Sequence, residues 1–133
     1  MLRVPAHAGP SSIHGTGLLA TEKIPCGTII WVLDLGLDRE FTANELEQLP
    51  PAEYQRIKPY LYVDLVTGKS VLCGDDARYM NHADAPNTST RGHTTVTVRD
   101  VEAGEELTAD YAEFDARTRQ RLGLSGEPQP RSG

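Results

Sequence analysis

The chain has 133 residues, 38% of them hydrophobic and 24% charged, with a formal net charge of −6. That is one globular domain's worth of chain, too apolar to be disordered, and no segment approaches the roughly 18 apolar residues of a membrane span. The acidic balance argues against direct nucleic-acid binding; it suits a basic partner, although ordinary solubility accounts for a modest negative charge as well.

The 12 glycines and 9 prolines point to many turns, hence a mostly β fold with some helix. The only cysteines are Cys26 and Cys73, in no Cys-x-x-Cys pairing. A structural zinc site normally takes four ligands, so no metal is expected. The first ten residues hold no apolar run of signal-peptide length, which predicts a cytoplasmic protein with reduced thiols.

Residues 1–12 read as a short lead-in. The stretch from Ser12 to Ala20 is a glycine-rich turn running into apolar residues, and Ile24-Pro25-Cys26-Gly27 is a second turn. Residues 28–33, β-branched and aromatic, predict a buried strand. Thr42 and Glu45 form a capping box that opens a helix through Leu46 and Leu49. Pro50 and Pro51 stop it, and Pro51 opens a second short helix with Tyr54 and Ile57 on one face, ended by Pro59. This is the only helical region the sequence predicts. Strands are expected at 60–66 and 70–73 around a turn at 67–69, and again at 94–99. Residues 74–90 are non-periodic and polar, a loop length that usually signals function or tertiary anchoring. Residues 105–111 read as extended. The expected domain is 1–115, with its core at about 12–115; residues 116–133 form a tail that is partly disordered or lid-forming, with disorder expected at 126–133.

Three segments hold chemistry. Gly15-Thr16-Gly17 lets backbone turn sharply and approach a ligand closely, although a hairpin turn needs no more. Arg78-Tyr79-Met80-Asn81-His82, followed by Pro86-Asn87, sets several donors and acceptors in one loop. A hydrolytic metal site from Asp75, Asp76, His82 and Asp84 lacks ordered ligand spacing. The third segment, Glu105 to Tyr111, reads in isolation as an edge strand with an acidic start.

In this order and spacing the three segments resemble the SET-domain family of protein lysine methyltransferases, most of all its compact stand-alone members. The resemblance runs from about Ser12 to Asp115. It implies a β-clip-like fold of short twisted sheets, one or two short helices, and a knot-like crossing of the Asn-His segment beneath the Asp-Tyr segment. It implies S-adenosyl-L-methionine as cofactor, held by Gly15, Thr16, Gly17, Asn81, His82 and Tyr111, with Tyr111 catalytic. Asn81 would bond the amino end of the cofactor, and the His82 backbone would read its adenine. Tyr60 or Tyr62 would line the lysine channel, together with Ala109. The implied partner is a basic protein or peptide carrying lysine, and the implied assembly a monomer or homodimer.

Two departures stand out. Ala109 occupies a position where many members carry Tyr or Phe, predicting a wider channel or one filled by another side chain. No cysteine follows Tyr111 to supply the zinc-binding tail that closes the channel in many members, and residues 112–124, with Phe114 and several arginines, or a second subunit, are expected to serve instead. The alternative reading is a weak or inactive module on the same fold that binds cofactor or peptide without turnover.

Overall fold

Three small sheets, all antiparallel but for one strand pair, make up most of a computed structural model that describes residues 1–124. The first contains β1 (Ala6–Pro10), β2 (Thr16–Ala20), β7 (Asn81–His82) and β10 (Glu106–Ala109), in the order β1-β2-β10-β7. The second contains β3 (Ile29–Val32), β8 (Thr88–Arg91) and β9 (Thr94–Thr97), in the order β3-β9-β8. The third contains β4 (Arg39–Phe41), β5 (Tyr62–Val63) and β6 (Ser70–Leu72), in the order β4-β6-β5.

The main core lies between the first two sheets. Leu18 and Leu107, register partners on β2 and β10, are fully buried there with Ile24, Ile30 and Val101. A register shift between Ile29 and Trp31 turns the consecutive side chains of Ile30 and Trp31 both inward, which is what a β-bulge does. Leu107, Thr108 and Ala109 are all buried, because β10 is covered on both faces. A satellite cluster of Phe41, Ile57, Leu61 and Leu72 sits under α1 (Ala43–Glu47) and α2 (Pro51–Ile57). The Thr42–Glu45 capping box is formed in full, and Pro51 opens α2 as expected.

Other expectations change. Residues 1–12 are no lead-in: β1 pairs with β2 along its whole length, and Leu2 bridges to Trp31. The strand predicted over 60–66 shrinks to β5, since Pro59 sits within a 3-10 turn over Lys58–Tyr60. The loop at 74–90 contains a 3-10 turn at Asp76–Tyr79, then β7, and the start of β8. The extended run at 105–111 ends at Ala109, and Tyr111–Glu113 is another 3-10 turn. A third helix, α3 (Ala116–Arg121), stands where the sequence offers no apolar periodicity, with Asp115 as its N-cap and Thr118 and Arg119 buried. The disorder expected at 126–133 lies outside the described residues.

Candidate active site

The two polar motifs of the sequence meet as the one parallel strand pair, Thr108 opposite Asn81 and Ala109 opposite His82. The Ala83 amide extends the pairing by donating to the Ala109 carbonyl at 3.0 Å. Asn87 locks β10 from the other direction. Its Nδ2 donates to the Glu106 carbonyl at 2.8 Å, its Oδ1 accepts from the Thr108 amide at 2.9 Å, and the residue is 1% exposed. A buried amide so placed substitutes for a strand neighbour that the sheet lacks.

Tyr111 follows directly. Its amide donates to His82 Nδ1 at 3.1 Å, while His82 Nε2 lies 3.1 Å from the Asp84 carboxylate. Nδ1 must accept, so the network assigns the neutral imidazole with its hydrogen on Nε2. The Tyr111 hydroxyl donates to the Met80 carbonyl at 2.5 Å. Burial, and secondarily the Asp115 carboxylate, push the Tyr111 pKa above the usual phenol value. The group is therefore a neutral hydroxyl with its hydrogen committed, leaving its lone pairs available.

Beside that hydroxyl is a cavity of about 430 Å³. Its aromatic wall includes Trp31, Tyr60, Tyr62, Tyr111 and Phe114. Phe114 stands edge-on to both Tyr62 and Tyr111, at centroid distances of 5.2 and 5.5 Å. Tyr60 instead packs edge-on against Tyr79 at 5.3 Å. Burial, chiefly, raises the Tyr62 pKa strongly, so its hydroxyl is also neutral. Among the described residues Trp31 Nε1 is the one buried side-chain polar atom without a hydrogen-bond partner, and Trp31 lines the cavity. Such a donor is normally met by a guest or a water. Arg78, Arg117 and Arg121 supply cationic charge to the lining; the carboxylate of Asp115 is engaged by the Val63 amide at 2.9 Å and the Thr118 hydroxyl at 2.8 Å.

The glycine turn lies elsewhere along the same junction. It closes the β1–β2 hairpin, with Gly15 at φ +48°, and neither the turn nor Asn81 or His82 lines the cavity. Asn81 Nδ2 points at the turn, within 3.2 Å of the Thr16 carbonyl and 3.1 Å of the His14 carbonyl. Adjacent residues of extended chain face opposite ways, so Met80 fronts the cavity while Asn81 fronts the turn. Among the described residues no hydrogen bond reaches Asn81 Oδ1. A Cβ built on Gly15 would meet only open space. An open acceptor beside uncovered backbone fits the ammonium end of an amino-acid cofactor.

The structure thus gathers Tyr111, His82 and Asn81 at one junction, puts Gly15, Thr16 and Gly17 against Asn81, and puts both Tyr60 and Tyr62 on the cavity wall. Ala109 is fully buried and lines no part of the cavity, where Phe114 stands. Sequence reasoning read Trp31 only as part of a buried strand, although an indole hydrogen placed inside is itself a signal. It passed over Ser11 and read Glu106 only as part of the third motif; their hydroxyl and carboxylate meet at 2.8 Å behind the turn. The doubled acid at 105 and 106 was the available sign.

The SET domain family model matches residues 15–112. A histone-lysine N-methyltransferase of Schizosaccharomyces pombe, H3 lysine-4 specific, is 33% identical over 119 residues, covering 79% of this chain and 12% of that protein. This chain therefore corresponds to a small part of that relative's length. A candidate histone methyltransferase from Plasmodium falciparum, known from its crystal structure, has a TM-score of 0.59 and 18% identity, covering 83% of this chain and 95% of that one, a likeness of fold. With the family match spanning most of the chain, and its motif residues joined in one sheet around Tyr111, the chain belongs to the SET-domain family.

Proposed function

We propose that this chain is an S-adenosylmethionine-dependent methyltransferase acting on the side-chain amine of lysine in a protein substrate. The observation that carries the reading is the Tyr111 hydroxyl. Its hydrogen is fixed on the Met80 carbonyl, it borders an aromatic cavity, and its backbone is tied to the Asn81-His82 strand.

Gly15, Thr16 and Asn81 would hold S-adenosylmethionine, which would supply a methyl carbon on a cationic sulfur. The protein's task is to bring up a neutral amine. Free lysine has a pKa near about 10.4, so deprotonation at pH 7 costs roughly 4–5 kcal/mol. The rings of Tyr62, Phe114 and Trp31 strip water from an entering ammonium, and the guanidinium groups at the same cavity disfavour its charge further. The proton leaves to water, and no side chain acts as a strong base. The Tyr111 oxygen would be placed to direct the transferred methyl through a C–H···O contact worth about 0.5–1 kcal/mol, so its contribution would be aim more than strength. The net charge of −6 supports a basic substrate protein.

The test is transfer from methyl-labelled cofactor to histones and other basic proteins, read by mass spectrometry on lysine. Transfer by the wild type and at least about a hundredfold loss in Tyr111→Phe, with cofactor affinity retained, is the expected result. Cofactor binding without transfer by the wild type identifies a non-catalytic module. Absence of cofactor binding ends the reading.

A further inference from the structure

We infer that Glu106 is a positioning residue for the cofactor: its carboxylate holds the Ser11 hydroxyl and the Asn81 amide in the one orientation that leaves Asn81 Oδ1 open to a ligand. This rests on the reading of the glycine turn and Asn81 as the cofactor site, and deepens it.

The argument is a count of hydrogens. Asn81 Nδ2 has two, and four oxygens surround it: Ser11 Oγ at 3.1 Å, His14 O at 3.1 Å, Thr16 O at 3.2 Å and Glu106 Oε2 at 3.0 Å. A flipped amide would set Oδ1 against two carbonyls and a carboxylate, none of which has a hydrogen to give. Ser11 Oγ has one hydrogen and three donors aimed at it, from the amides of Ile13 at 2.9 Å and His14 at 3.1 Å and from Asn81. Its hydrogen goes to Glu106, whose oxygens lie at 2.8 and 2.9 Å. Glu106 is thus the acceptor on which both neighbours converge, and through Ser11 it shapes the loop ahead of Gly15.

Gly17 is part of the device. A Cβ there would stand 2.6 Å from Glu106 Oε2, so only glycine lets the carboxylate rise beneath the turn. Glu105, next in the chain, does something different: it pairs with Arg99 at 2.7 Å on the surface.

Glu106→Gln keeps the shape but removes the charge, and its NH₂ faces Ser11 Oγ, on which three donors already converge. Titration calorimetry with S-adenosylmethionine tests this on wild type, Glu106→Gln, Ser11→Ala and Glu105→Gln, alongside melting temperatures without ligand. Glu106→Gln is expected to weaken binding by about tenfold or more, the scale of one lost hydrogen bond to a charged group, with its melting temperature near wild type. Ser11→Ala is expected to weaken binding in the same sense, and Glu105→Gln to leave it unchanged. Wild-type affinity in Glu106→Gln, or affinity lost only in step with the melting temperature, overturns the inference. Should Glu106→Gln not fold, wild-type affinity in Ser11→Ala overturns it equally. A wild type that binds no S-adenosylmethionine instead removes the cofactor reading, and this inference with it.

Discussion

Phe114 stands between two tyrosines at the cavity, whereas Ala109 is fully buried on β10 and lines no part of it. The two positions predict opposite behaviour. Phe114→Ala takes a ring from the cavity wall, making room for a methylated amine to turn and react again. Its product is expected to shift toward di- and trimethyl-lysine, read by mass spectrometry. Phe114 is only half-buried, so the stability cost stays below the roughly 3–5 kcal/mol of a fully buried ring. Ala109→Phe forces a ring into space already filled at the centre of the sheet, and is expected to destabilise by at least about 1–3 kcal/mol. A stable Ala109→Phe protein with altered product would show that position 109 does reach the channel. Tyr111 supplies the complementary lesson: its chemistry depends on where its hydrogen is parked, a fact set by the Met80 carbonyl.

At the scale of elements, α3 forms one wall of the cavity through Arg117, Thr118 and Arg121, and it hangs on Asp115. That carboxylate caps the helix at the Arg117 amide, accepts from Thr118, and reaches across to the Val63 amide on β5. Asp115→Ala removes an N-cap worth about 1 kcal/mol and leaves a partly buried amide unmet at about 1–3 kcal/mol more. Urea unfolding should register a loss of about 2–4 kcal/mol, with faster amide exchange along α3. The sequence reveals elements whose signals are local. Thr42 and Glu45 are three residues apart and cap a helix with no buried residue, so nothing distant is needed. It hides those decided at a distance. β1 (Ala6-His7-Ala8-Gly9-Pro10) has no β-branched or large apolar residue and exists because β2 pairs with it; β7 is a two-residue strand made by β10. α3 buries Thr118 and Arg119 instead of an apolar stripe, so periodicity could not find it. The same split holds at the site. The motif residues stood out by type and order, and Phe114 by its place after them, whereas Trp31 and Ser11, and the contacts of Glu106, acquire meaning only from what the fold sets beside them.

For the whole molecule, buried ionisable groups predict an alkaline limit. Burial first, then the Asp38 and Asp75 carboxylates, push the Cys73 thiol up to about 12 from its ordinary 9.0. Tyr62 and Tyr111 are raised as well, also chiefly by burial. Below the unfolded values both states keep these protons and the stability is intact. As pH rises from 9.0 toward 12, the unfolded chain releases protons that the folded chain retains, so stability falls. Melting temperature should therefore decline across that window, and Cys73→Ala should flatten the decline, lowering the neutral-pH value slightly in exchange. A Cys73→Ala profile parallel to wild type would contradict the assignment.

β10 sits inside the first sheet, between β2 and β7, yet among the described residues it is the last strand in chain order. A nascent chain leaving the ribosome therefore exposes the unpaired edge of β2 until residue 109 has emerged, the kind of edge that invites association with other chains. Vectorial synthesis delivers α1 and β5 early and the closing strand late, with Tyr111, Phe114 and α3 of the cavity wall emerging after it. A fragment ending before Glu106 should be sticky and inactive, and a separately supplied peptide carrying β10 and Tyr111 should rescue it by strand insertion.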